Sequence, residues 1–165
     1  MSNTEHKNIE IERKFLVVNN DYRAQAVRKS EIAQGYIGTQ PGKTVRIRIK
    51  DDKAFITIKG KRNESGLSRF EWEKEIDIED AKQLMLLCDT PIITKTRLYI
   101  PAGELTFEVD EFHNENEGLV VAEIELHDEN ETFVHPQWLG MEVTNDKRFH
   151  NSHLTKRPYK DWDKN

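Results

Sequence analysis

The stretch Ile9-Glu10-Ile11-Glu12-Arg13-Lys14-Phe15 decides how the chain folds. Its apolar and charged residues alternate, and on an extended strand residues i and i+2 share a face while their neighbours take the other. Glu10, Glu12 and Lys14 thus oppose Ile9, Ile11 and Phe15. Outward from this stretch the same period-two pattern predicts strands near residues 9–17, 31–38, 43–50, 53–60, 68–77, 92–100, 104–112 and 119–127. Pro-Gly, Asp-Asp, Glu-Ser-Gly, Pro-Ala-Gly and Asn-Glu-Gly turn signals separate them. Helical spacing is confined to 20–29, to 79–89 ahead of Pro91, and to 145–156 ahead of Pro158. An antiparallel sheet of this size removes its exposed edges by closing on itself. The expectation is therefore a mainly β (α+β) fold: an eight-stranded antiparallel closed β-barrel with a few short helices packed outside. Covering the apolar face from outside leaves the charged face pointing inward.

The sequence has 165 residues, enough for one domain, and is read as a single domain over 1–165. Charged residues make up 33% and apolar residues 36%, so charge is used beyond an ordinary surface. A net charge of −5 argues against coating a nucleic acid, which calls for a basic excess. The opening MSNTEHKN has no apolar core, and no run approaches a membrane span, so no membrane partner and a cytoplasmic location are expected. Cys88 cannot form an internal disulfide and shares an apolar stripe with Ala81, Leu84 and Leu87, which makes it inert core.

Sorted by parity, one face collects the cations Lys14, Arg46, Arg48, Lys50, Lys59, Arg69, Lys95 and Arg97, and the carboxylates Glu10, Glu12, Glu71, Glu73, Glu108, Asp110, Glu123 and Glu125. A wet sheet face would carry charge too. Rows of Arg and Lys interleaved with carboxylate pairs are different, because burying ions costs several kcal/mol each unless they are paired, and a lumen full of them points to a ligand. The guanidinium groups of Arg46, Arg48 and Arg97 suit phosphate oxygens, and Lys14, Lys59 and Lys95 add point charges. The pairs Glu10/Glu12 and Glu123/Glu125, each roughly 7 Å apart along a strand, are the metal candidates. Oxygen-only ligation favours Mg²⁺ or Mn²⁺. Glu10, Glu12 and Lys14 are the catalytic candidates, while Glu71, Glu73, Glu108 and Asp110 are read as supporting ion pairs that hold the cations in position.

These residues resemble the CYTH superfamily of triphosphate tunnel metalloenzymes. The resemblance rests on Glu10-Ile11-Glu12-Arg13-Lys14, Gln34-Gly35-Tyr36, Val45-Arg46-Ile47-Arg48, Thr57-Ile58-Lys59-Gly60, Gly118 to Glu125, and Glu142-Val143-Thr144-Asn145-Asp146-Lys147-Arg148-Phe149, in order along nearly the whole chain. It implies an eight-stranded tunnel in which both Glu-x-Glu pairs hold divalent metal and the Arg and Lys rows bind a small-molecule triphosphate. The activity implied is metal-dependent hydrolysis of inorganic triphosphate to pyrophosphate and phosphate. Thiamine triphosphate or ATP hydrolysis, class IV adenylyl cyclase activity, and a non-catalytic polyphosphate-binding module are the alternatives. A homodimer is compatible with the resemblance. Phe149 departs from the Tyr that such members usually carry.

Other signals point elsewhere. Pro41-Gly42-Lys43-Thr44 lacks the first glycine of a P-loop and precedes strands. The six histidines, His6 among them, show no zinc spacing and read as surface or cap residues, although His127 continues the face of Glu123 and Glu125. Trp72 and Trp138 read as core that covers the barrel.

Overall fold

A computed structural model describes residues 8–38 and 40–163; His6 and most of the opening segment lie outside them. Nine strands run through the chain: β1 (Ile9–Val17), β2 (Arg28–Tyr36), β3 (Thr44–Lys50), β4 (Lys53–Lys59), β5 (Ser68–Ile76), β6 (Ile93–Ala102), β7 (Leu105–Phe112), β8 (Val120–Glu125) and β9 (Leu139–Glu142). All pairings are antiparallel, in the order β5-β4-β3-β2-β6-β7-β8-β1, and β1 pairs back onto β5 to close an eight-stranded barrel.

Closure depends on β1, which has three partners. Its start pairs with β5 (Glu10 opposite Arg69), its middle with β8 (Lys14 opposite Glu123), and its end with β9 (Phe15 opposite Glu142). The short β9 was not legible in the sequence, since Leu139-Gly140-Met141-Glu142 is too brief to establish a period. Arg13, on the outer face, pins it through an ion pair to Glu142 at 2.6 Å.

Three apolar clusters lie outside the barrel wall, as the inside-out pattern requires. Helix α2 (Ile78–Met85) covers β3 and β4, packing Ala81, Leu84 and Met85 with Ile47, Ile49 and Ile56. The Asp77 side chain caps it by accepting from the amides of Glu79 and Asp80, a cap worth about 1 kcal/mol. Cys88 belongs to this cluster, and a Cβ on Gly35 would stand 2.7 Å from the Cys88 Cβ, so glycine lets the end of the helical segment lie directly on β2. The second cluster gathers Tyr22, Phe107, Ile124 and Trp138, the third Ile93, Phe112, Phe149 and Leu154.

The coverage differs from expectation in three ways. The predicted helix at 20–29 shrinks to α1 (Tyr22–Gln25), and the one at 145–156 breaks into a 3₁₀ turn (Lys147–Phe149) and α3 (Asn151–Leu154). Irregular chain around Phe133 and Trp138 supplies much of the cover instead. The wall formed by β1, β5 and β4 is partly bare: Ile9, Phe70, Ile58 and Trp72 are exposed. Trp138 is core as expected, but Trp72, 38% exposed, is not. Among the described residues α2 covers only the Ile76 end of its strand, so the ring is left facing solvent.

Candidate active site

Alternation along the strands carries the charged rows into the lumen, where they surround one cavity of about 220 Å³. Of the fourteen site residues expected from the sequence, thirteen line it: Glu10, Glu12, Lys14, Arg46, Arg48, Lys59, Glu71, Glu73, Lys95, Arg97, Glu108, Glu123 and Glu125. Asp110 does not line it, because on the same inward face it is fully buried beneath Lys95 and Arg97.

The deepest part of the site is a closed ionic network. Asp110 accepts from Lys95 Nζ at 2.7 Å and from Arg97 Nε and Nη2 at 2.7 and 2.8 Å. Burial works to raise the Asp110 pKa, but Arg97 and Lys95 overcome it and hold the carboxylate ionised. Arg97 also pairs with Glu108 and, at 3.6 Å, with Glu123. For Lys95, burial, with Arg97 and Arg48 behind it, outweighs Asp110 and pulls the ammonium down to about 7. Asn151 Oδ1 accepts from both Lys95 Nζ (2.9 Å) and Gln34 Nε2 (3.1 Å), which ties α3 across this end of the lumen.

On the β1 side the carboxylates cluster. Glu10 accepts from Lys59 Nζ at 2.7 Å and lies 3.3 Å from Arg69 Nε, and Lys59 also pairs with Glu71 at 2.9 Å. Burial and a hydrogen bond that its protonated carboxyl donates to Glu10 raise Glu71 to about 7, while Glu10, accepting that bond, is held low by it and by Lys59 and Arg69 in spite of burial. Glu123 pairs with Lys14 at 3.3 Å. Glu12 and Glu125 stand directly opposite each other on β1 and β8, and neither has an ion pair or side-chain hydrogen bond among the described residues. Burial, then Glu123 and Glu10, pushes Glu12 up to about 8.

Like charges facing each other across a sheet are destabilising, and a hard divalent cation is the group that a set of oxygen donors so arranged would accept. The chemistry of this donor set therefore fits a metal. Among the described residues, however, no three Asp, Glu, His or Cys side chains converge into a finished cage. Glu10 and Glu123 are turned toward lysine and arginine partners, which a cation would have to displace.

The cations are partly unspent. Arg46 Nη2 lies 3.4 Å from Glu73, and its Nε is buried with no hydrogen-bond partner. Arg48 Nε donates to Gln34 Oε1 at 3.0 Å and has no ion-paired carboxylate among the described residues. Burial, then Arg46 and Arg97, holds Arg48 down to about 10.

The cavity also takes in Gln34, Tyr36, Thr44, Lys50, Arg62, Arg69, His150, Asn151 and Ser152. Parity on the strands had already put Lys50 and Arg69 on this face. His150 is in part a correction: it does stand at the N-cap position of α3, but its ring makes no cap bond and lies at the cavity instead, its Nε2 3.3 Å from the Thr144 carbonyl oxygen, and burial with Lys14 and Arg62 holds it down to about 4. His127 is the opposite correction, since its exposed ring leaves the lumen and bonds Glu131. The peptide following Glu125 turns out of the barrel, so parity no longer governs it. Arg62 and Asn151 lie outside strands, where alternation gives no signal.

The CYTH domain family matches residues 8–159. An inorganic triphosphatase from Acetivibrio thermocellus is 46% identical over 154 residues, 93% of this chain and 97% of that protein. One from Nitrosomonas europaea is 37% identical over 152 residues, 88% and 95% of the two chains. A solved structure of an inorganic triphosphatase superposes with a TM-score of 0.60 at 31% identity, covering 88% of this chain and 93% of that one.

Proposed function

The chain belongs to the CYTH domain family, and from that premise we propose that it is a single-domain, metal-dependent triphosphatase that hydrolyses inorganic triphosphate to pyrophosphate and phosphate within the barrel lumen. The observation that carries this reading is the pair Arg46 and Arg48: one guanidinium has an orphaned buried nitrogen, and the other has no ion-paired carboxylate among the described residues and is held down to about 10. Buried polar groups in folded proteins are almost always paired, so two arginines left incomplete side by side call for an anion that belongs to neither wall.

In this reading Arg46 and Arg48 take the non-bridging oxygens of the substrate in forked hydrogen bonds, while Arg97, whose fork is held by Asp110, and Lys14, Lys59 and Lys95 supply positive charge. Because Arg46, Lys95, Arg97, Lys59 and Lys14 are held in position by Glu73, Asp110, Glu10, Glu71 and Glu123, they meet charge that develops on the phosphoryl oxygens without having to reorganise. Glu10, Glu12, Glu123 and Glu125 are the residues that would hold Mg²⁺ or Mn²⁺. A cation bound there supplies Lewis-acid neutralisation of the phosphate charge. The same carboxylates can orient a water in line with the terminal phosphorus.

Among the described lining residues the only rings are the buried Tyr36, whose hydroxyl accepts from Gln34, and His150, and the rest of the wall is mostly charged, which favours tripolyphosphate over ATP. No helix is long and apolar enough to cross a membrane, and the lumen suits a small soluble anion met in the cytoplasm. The test is phosphate release from tripolyphosphate, ATP, thiamine triphosphate and pyrophosphate with Mg²⁺, Mn²⁺ or chelator. Tripolyphosphate should give the highest kcat/KM, and chelator should abolish turnover. An equal or better kcat/KM for ATP, or cyclic AMP among the products, would overturn the substrate assignment.

A further inference from the structure

Three cations of the cavity wall have no ion-paired carboxylate among the described residues: Arg48, Lys50 and Arg62. Lys50 is turned toward the Tyr99 ring, 5.7 Å from its centroid. Arg48 has been placed in the phosphate site above. Arg62 remains, and it is not on a strand: it sits in the loop between β4 and β5.

A loop arginine would ordinarily swing into water, but this loop is fixed at several points. Glu129 Oε1, from the segment after β8, accepts from Asn63 Nδ2 at 2.7 Å, from Ser65 Oγ at 2.8 Å and from Ser68 Oγ. The backbone closes on itself through Asn63 N to Ser68 O at 2.8 Å and Gly66 N to Asn63 O at 3.0 Å. Gly66 adopts φ +78°, and a Cβ there would lie 2.0 Å from Asn145 Oδ1, so the loop is seated against the chain that closes the lumen. Held this way, the half-buried Arg62 has, among the described residues, one acceptor within hydrogen-bond distance, the Gly66 carbonyl at 3.3 Å, beside the like-charged Arg69.

Arg62 and Arg48 also occupy different stations. On the β3–β4 ladder Arg48 lies opposite Phe55, Arg46 opposite Thr57 and Thr44 opposite Lys59, and Arg62 follows Lys59 beyond that end of β4. An anion that satisfies both guanidinium groups must therefore extend along the lumen from Arg48 past Arg46 toward the Lys59 end, and a shorter one satisfies only one of them.

We propose that Arg62 is a substrate-binding residue that measures phosphate chain length, engaging the end of a linear triphosphate opposite the end held by Arg48, with Glu129 as the positioning residue that aims its loop. This rests on the triphosphatase reading. The experiment compares wild type with Arg62→Ala, Arg62→Lys and Arg48→Ala. It measures kcat/KM for tripolyphosphate, the inhibition constant of pyrophosphate against that turnover, and calorimetric binding of tripolyphosphate to protein in chelator. Arg62→Ala should lower kcat/KM and metal-free affinity for tripolyphosphate by about tenfold or more, the loss of a charge-assisted hydrogen bond. It should leave the pyrophosphate constant within about twofold. Arg48→Ala should weaken both ligands, and Arg62→Lys should recover part of the loss. Glu129→Gln should raise KM in wild type and add nothing in the Arg62→Ala background. Equal losses for both ligands in Arg62→Ala would overturn length reading, unchanged tripolyphosphate binding would overturn the contact itself, and additive loss with Glu129→Gln would overturn the positioning role. If wild type neither binds nor cleaves tripolyphosphate, the function reading fails, and the role of Arg62 fails with it.

Discussion

The lumen holds two ionic regions that solve the same electrostatic problem in opposite ways. Around Asp110, two cations share a carboxylate at 2.7 to 2.8 Å with no solvent access to that carboxylate. Around Glu12 and Glu125, two carboxylates face each other across β1 and β8 with no ion pair of their own among the described residues. The first is completed by the protein, and its charges are fixed before any ligand arrives. The second is left incomplete at a cost to the folded state, a cost that a bound cation removes. A buried ion pair is weak evidence for stability, yet breaking one is severe. The comparison therefore predicts that mutation acts on stability in one region and on turnover in the other.

The largest effect should come from Asp110→Ala, which strands Lys95 and Arg97 in the wall. Denaturant unfolding should show a loss of about 3–5 kcal/mol. A loss below about 1 kcal/mol would mean that the network is hydrated and that the two regions do not differ. Next is Glu12→Gln, which relieves repulsion without changing shape. The metal-free protein should melt at the same temperature or higher, while turnover of tripolyphosphate falls by about two powers of ten or more because a metal ligand is lost. A variant that melts lower with turnover intact would reverse the assignment of the regions.

The smallest effect concerns His150, between the two. Its folded pKa of about 4 lies below the ordinary 6.5. Between those values the unfolded chain takes up a proton that the folded protein refuses, so stability falls as pH drops from 6.5 toward 4. Because the ring is only half-buried, water screens part of this. His150→Asn should flatten the slope in acid melting curves, and an unchanged slope would place its titration elsewhere.

Parity made most of this legible in the sequence. Eight strands, their closure and the inward charge followed from alternation such as Val45-Arg46-Ile47-Arg48, because a period of two is fixed by backbone geometry wherever a strand persists. What failed lay where no period exists. Strand β9 is four residues long, and Arg62, His150 and Asn151 ride on loops and turns whose direction is set by tertiary contacts such as Glu129 and Thr144. Trp72 was misjudged because alternation tells which face a residue takes and not whether anything covers that face. Nor could spacing foretell that Glu10 would turn to Lys59 and Arg69.

Stability and chemistry are written on alternate residues of the same strands. On β3, Ile47 holds α2 against the wall from outside while its neighbours Arg46 and Arg48 face the cavity. A slip of one residue in the pairing of β3 with β2 or β4 would exchange the two roles, putting guanidinium groups beneath the helix and isoleucines in the lumen. Register is thus policed from both sides of the wall, by the apolar cover and by the ionic lining at once. Gain or loss of one residue within β3 therefore disturbs cover and lining together, whereas exchange of one lumen charge such as Arg48 leaves the apolar cover in place.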